Sequence, residues 1–166
     1  DHPFATIQAN PDPSLTPDIY MLGSSTGGVR FAIENGLAFV FAAQINAELA
    51  VPVLKMYREK FKPSKYYQEP KSIMSIGVFT AETEEEARYL AEPSRFAHDY
   101  HYSTQEKAIR QMQLNKFVIG TPAQVAERLT ELANETEVEE IIIADSYPEI
   151  KARKKAYELL AKELNL

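Results

Sequence analysis

Cysteine is missing from all 166 residues. Disulfides, thiolate metal sites and a cysteine nucleophile are thereby excluded together, and a reducing cytoplasm is the compatible setting. Positive charge is short as well. Lys and Arg number 18 against 24 Asp and Glu, for a net charge of −6 and an isoelectric point near 5.2. A nucleic-acid surface needs a basic stripe to neutralise phosphates, and the sequence offers none. No run of about 18 apolar residues occurs and no signal-peptide pattern opens the chain, so no membrane partner is expected. An initiating Met is absent too: the chain starts Asp1-His2-Pro3-Phe4 and reads as a fragment or a processed product.

What is present is ordinary for a globular protein, with 45% hydrophobic and 25% charged residues. The length suits one domain over residues 1–166 with a real core. Residues 1–17 carry Pro3, Pro11, Pro13 and Pro17 and read as an extended arm. A first strand is expected over 18–22, then a helix ending at Asn35-Gly36. The continuous apolar run 37–42 fits a strand covered on both faces. Leu49, Val53, Met56, Tyr57 and Phe61 have helical spacing and predict a helix over 48–61, stopping before Pro63. A third strand follows over 73–80. Acids at Glu82, Glu84, Glu85 and Glu86 open a helix that Pro93 is expected to break, with a helical insertion over 94–116. Ser103 with Glu106 suits a capping box inside that insertion. Thr121-Pro122-Ala123-Gln124 is a stronger one, opening a helix to about Thr136. A fourth strand is expected over 138–144 and a last helix over 149–164. Alternation of this kind predicts an α/β protein with a parallel sheet and right-handed crossovers.

The stretch with the most chemistry is Ile19-Tyr20-Met21-Leu22-Gly23-Ser24-Ser25-Thr26-Gly27-Gly28, a strand, a small-residue turn and a helix start. Such a turn suits a phosphate: glycines allow close backbone approach, hydroxyls donate, and the helix dipole favours the anion. An ordinary strand-to-helix turn is the alternative, and on the motif alone it prevails.

Five segments in order resemble the bacterial luciferase-like flavin monooxygenases. They are Tyr20-Met21-Leu22-Gly23-Ser24-Ser25, Gly36 to Ala42, Val78 to Ala87, Val118 to Val125, and Glu139 to Ile143 followed by Arg153 to Ala161. The resemblance implies a (β/α)₈ TIM-type barrel, of which this chain carries the C-terminal half as about four parallel β/α units with an insertion. A full barrel takes roughly 250 residues. It also implies FMN in its reduced form as cofactor, oxygen chemistry, and a small-molecule substrate. The flavin phosphate contacts fall on Gly23, Ser24, Ser25 and Gly28, where a relative's hydroxyl residue at the last position is replaced by glycine and Thr26 stands ready to compensate. Ala43-Gln44 replaces a His pair found in many relatives. Catalytic residues are not assigned, because the family's oxygen-managing residues belong largely to the other half. With the resemblance beside the motif, phosphate binding is the preferred reading of Gly23–Gly28.

A half-barrel leaves an apolar face and two unpaired edges. The expected partners are therefore the missing N-terminal half or a second copy of the chain, with a flavin reductase as a further one. Alone, the chain is expected to be inactive. Two other functions stay open: a non-catalytic flavin- or phosphate-binding half-barrel, and a deazaflavin-dependent oxidoreductase.

The remaining candidates have plainer readings. Gln44 and Asn46 could orient a flavin or substrate, though local satisfaction is favoured. Ser75 and Gly77 either line a cofactor space or allow tight packing. His98, Asp99 and His101 are too few for a metal site, and none is expected. Lys151, Arg153, Lys154 and Lys155 oppose the dipole of the last helix and are read as a solvated surface.

Overall fold

Short apolar runs punctuated by caps and glycine turns build a single parallel sheet with helices against it. The computed structural model describes residues 3, 4, 6, 17–96 and 116–166. The strands are β1 (Tyr20–Gly23), β2 (Ala38–Ala42), β3 (Ser72–Thr80), β4 (Phe117–Gly120) and β5 (Glu140–Ala144). The helices are α1 (Thr26–Asn35), α2 (Ala43–Asn46), α3 (Ala50–Lys60), α4 (Glu84–Phe96), α5 (Pro122–Thr136) and α6 (Ile150–Glu163). A single 3₁₀ turn, Ala47–Leu49, joins α2 to α3.

The nine-residue β3 is the hub of the sheet. Its first half pairs with β2, from Phe39↔Ser72 to Ala42↔Ser75, and with β5, from Ile73↔Glu140 to Gly77↔Ala144. Its last residues pair with β4, from Gly77↔Phe117 to Thr80↔Gly120. β1 joins β2 through Tyr20↔Ala38 to Gly23↔Phe41, and every pairing is parallel. Among the described residues β1 and β5 do not pair, so the sheet is open.

Period-two alternation decides which residues enter the core. Phe39, Phe41, Met74, Ile76 and Val78 face the helices and pack with Val29, Ala32, Ile33, Val53, Leu54, Tyr57, Val125, Leu129 and Leu160. Both faces of β2 are buried, as the continuous apolar run predicts, and both faces of β3 are buried as well. Tyr57 is wholly buried and still finds partners for its hydroxyl: Leu37 O at 2.8 Å, Lys71 O at 3.1 Å and the donating Lys71 N–H at 3.2 Å. Burial pushes that phenol up to about 12.

Helix ends follow their chemistry. Gly36 closes α1 in the left-handed region at φ 58°, its N–H returning to Ala32 and Ile33 carbonyls. Gln124 N–H donates to Thr121 Oγ1 at 3.5 Å while Thr121 N–H donates to Gln124 Oε1 at 2.9 Å, the reciprocal box expected at α5. α5 ends on Glu137, a non-glycine residue at φ 51°. Arg58 secures this end by donating to Thr136 O and Glu137 O and pairing with the Glu137 carboxylate at 3.4 Å.

Three differences from the sequence reading stand out. β4 is a fifth strand, unanticipated because four residues at the end of an insertion carry too little periodicity. The helix expected over 48–61 starts earlier, as α2 and a 3₁₀ turn that follow β2 directly. α4 continues through Pro93 to Phe96, although an interior proline removes one N–H from the helix ladder. The expected four strands are otherwise present within two residues. Positions 97–115 of the expected insertion, with His98, Asp99, His101, Ser103 and Glu106, lie outside the described residues, as does most of the arm. No described helix is long and apolar enough to cross a membrane.

Candidate functional site at the strand ends

The five described strands run in one direction and deliver their loops to one edge of the sheet, the place where parallel α/β proteins build their sites. The first of these loops is only Ser24-Ser25 long. Ser25 is the N-cap residue of α1, with extended backbone at φ −150° and ψ 172°, yet its hydroxyl makes no capping bond. The first turn holds no acid. Ser25, Thr26 and Gly27 are exposed and Ser24 is half-buried. Among the described residues the opening N–H groups of α1 and the neighbouring hydroxyls thus have no partner, which leaves the positive end of the helix available to an anion.

Gly23 and Gly28 perform a packing task here. A Cβ on Gly23 would stand 3.3 Å from Gly28 Cα and 3.3 Å from the Phe39 ring; one on Gly28 would stand 3.2 Å from Gly23 Cα. The two glycines face each other, which draws the start of α1 down over the end of β1. Gly27 differs: a Cβ there would meet only Ser25 Oγ, at 3.7 Å.

The β1–β2 register pairs Gly23 with Phe41, so Ala42, Ala43 and Gln44 emerge beside the Ser24-Ser25 turn. Ala42 and Ala43 are buried, and Gln44 Oε1 is buried with no hydrogen-bond partner. This orphaned acceptor is the clearest polar vacancy at the strand ends, because a buried unsatisfied group costs about 1–3 kcal/mol. Ser75 is buried, and the space at Gly77 is taken: a Cβ there would lie 2.2 Å from the Phe117 ring. The packing reading of Gly77 therefore holds.

Two clusters were not foreseen. Thr80 N–H donates to Tyr147 Oη at 2.8 Å, and the Tyr147 ring stands edge-on to Phe79 with centroids 5.0 Å apart. Burial raises the Tyr147 phenol to about 12. Thr80 Oγ1 has no partner; beneath it a gap of about 10 Å³, lined by Val78, Ile143, Tyr147 and Leu160 among others, offers room for one water at most. At the end of β5, Asp145 is held by Arg153 Nε, at 3.1 Å from Oδ1 and 3.2 Å from Oδ2, and by the Tyr157 hydroxyl. The Asp145 side chain is only 4% exposed. Arg153 and Tyr157 are four residues apart on one helix face, and that spacing was the available signal.

The basic start of α6 is exposed as expected, but half of it is engaged. Hydrogen bonds and the nearby Asp145 and Tyr157 raise the Arg153 guanidinium, and Lys155 is raised by Glu82 at 2.9 Å. The acids opening α4 are exposed too, and Glu84 is lowered by its bonds to Arg88 and Gln124. Among the described residues, no cluster of three His, Cys, Asp or Glu could hold a metal.

The sequence model of the luciferase-like monooxygenases matches residues 1–140. The chain belongs to that family. It is 31% identical over 179 residues to the uncharacterised protein YceB of Bacillus subtilis (strain 168), a match that takes in 97% of this chain and 54% of the relative. Among solved structures, apo-MsnO8 superposes with a TM-score of 0.82 at 24% identity, over 96% of this chain and 54% of that one. The oxygenating constituent of 3,6-diketocamphane monooxygenase from Pseudomonas putida, solved in complex with FMN, superposes with a TM-score of 0.61 at 17% identity, over 89% and 48% respectively. At these identities the two structures establish the fold alone. The chain spans about half the length of the luciferase-like relatives it matches. For a luciferase-like chain the strand-end features fit a flavin nucleotide: an uncapped helix start for a phosphate and an orphaned amide for a polar ligand group.

Proposed function

We propose that this chain is the flavin-phosphate-holding part of a luciferase-like, FMN-dependent monooxygenase. The observation that carries the reading is the uncapped N-terminus of α1, with Ser24, Ser25, Thr26 and Gly27 around it, at the C-terminal edge of the sheet. Backbone N–H groups of that turn and the Ser24, Ser25 and Thr26 hydroxyls would hold the phosphate, and the Gly23–Gly28 contact would set the helix at the height the phosphate needs. The Gln44 amide would meet a polar group of the flavin or of a small organic substrate. Bound reduced flavin would supply the oxygen chemistry; the chain would supply binding, orientation and exclusion of water. The open edges at β1 and β5 would be covered by the complementary half-barrel or by a second copy, with a flavin reductase as the source of reduced cofactor.

A non-catalytic flavin-binding module is the second reading. Asp145, the buried carboxylate at the strand ends, is locked by Arg153 and Tyr157 and is not poised to move a proton.

Fluorescence titration of the chain with FMN and with riboflavin tests the phosphate site. FMN should bind more tightly than riboflavin, and Gly27→Asp should weaken FMN about tenfold or more while leaving riboflavin unchanged. Equal binding of the two flavins would refute it. Oxygen uptake with reduced FMN then separates the enzyme from the module, and turnover is expected only after a complementary half is supplied. Light scattering on the same sample identifies a second copy as that partner if the chain runs as a dimer.

A further inference from the structure

Helices α1 and α3 run antiparallel to the strands, so their C-terminal halves lie side by side at the edge of the sheet opposite the strand ends. Between them is a groove of about 550 Å³, lined by Arg30, Ile33, Glu34, Met56, Lys60 and Lys62. That volume falls in the range of roughly 300–1,000 Å³ usual for small-molecule sites. The groove is separate from the α1 N-terminus, since Thr26 and Ile33 are about 10 Å apart along the helix.

Its lining has an unusual balance for so acidic a chain. Three cations face one carboxylate, although acids exceed bases in the whole sequence. Other charges on α3 are satisfied: Lys55 pairs with Glu59, and Arg58 with Glu137. Arg30, Lys60 and Lys62 enter no ion pair among the described residues. Lys60 in the last turn complements the helix dipole, but Arg30 sits mid-helix and Lys62 lies beyond the end of α3, so neither has that explanation. The base is apolar and rigid. Ile33 is buried, Met56 packs against the core, and the loop carrying Lys62 is pinned by Ser64 Oγ donating to Gly36 O at 2.7 Å.

We propose that this groove is a second binding site, specific for a small organic anion. A phosphate or carboxylate would be held by Arg30, Lys60 and Lys62, with an apolar body resting on Ile33 and Met56. Arg30 offers the fork and the lysines the point charges suited to such a head group. Glu34 would disfavour ligands that carry a further acidic group away from the phosphate or carboxylate head.

Calorimetric titration of the full chain with phenyl phosphate, and with inorganic phosphate for comparison, tests the site. Saturable binding of phenyl phosphate, tighter than that of inorganic phosphate, is expected. Lys60→Gln combined with Lys62→Gln should weaken it about tenfold or more, while the melting temperature falls by no more than a few degrees, since both side chains are exposed and only the favourable charge of Lys60 at the end of α3 is lost. Amide chemical-shift changes should centre on Arg30 and Lys62 rather than on Ser24 to Gly28. No saturation, equal binding by the double variant, or shifts confined to the Ser24–Gly28 turn would each overturn the proposal. The flavin reading is tested separately at the Ser24–Gly28 turn: FMN should shift the amides there equally in the double variant and the unaltered chain, and failure of FMN to shift them in either protein would leave the phenyl phosphate result standing.

Discussion

The side-chain oxygen of Gln44 is buried without a donor, so in the ligand-free chain this residue costs stability. Gln44→Leu preserves much of the volume and removes the orphan. The ligand-free variant should therefore melt about 2–4 °C higher, the shift that roughly 1 kcal/mol produces in a chain of this size, and FMN should bind it more weakly. A lower melting temperature would show that the amide serves the fold instead. The sequence reading placed Gln44 correctly at the end of β2 but favoured local satisfaction, because spacing says nothing about whether an amide finds a partner. Gly28 illustrates the same limit. Its place after the turn was legible, whereas its contact with Gly23 arises only when α1 folds back over β1.

Among the elements, those with strong local chemistry were the readable ones. Thr121 and Gln124 announce α5 by themselves, and Gly36 announces the end of α1. The structure adds a reason why Gly36 is intolerant: besides its φ of 58°, a Cβ there would lie 2.4 Å from Ser64 Cβ and 2.5 Å from Lys62 O. Gly36→Ala should cost about 2–4 kcal/mol in urea unfolding with an unchanged m-value, since both the backbone and the loop must shift. A loss below 1 kcal/mol, on the order of a simple propensity change, would mean the loop yields freely. β4 was not readable, because its strand character comes from pairing with β3 rather than from any pattern in its four residues.

For the whole molecule, two phenols inside the fold set an alkaline limit. Tyr57 and Tyr147 both titrate at about 12, raised by burial from 10.0. The folded chain keeps these protons where the unfolded chain has lost them. Their contribution is complete below pH 10 and disappears as the pH rises through about 12. Melting temperature should fall over that window, and Tyr57→Phe with Tyr147→Phe should flatten the fall; an unchanged slope would place the alkaline sensitivity elsewhere. The open sheet is the other property of this scale. Leu22 is 61% exposed and Ile142 42% exposed on β1 and β5, and each of these strands pairs on one side only among the described residues.

Composition, alternation and caps were enough to determine the parallel α/β class, four of the five strands and the turn at Gly23–Gly28, because each depends on neighbours within about ten residues. The tertiary structure alone decided which glycines pack, that Asp145 is sealed by Arg153 and Tyr157, that Gln44 is left without a donor, and that Arg30, Lys60 and Lys62 share a groove. These depend on side chains brought together from separate elements, and nothing in the linear spacing records the distance at which they meet.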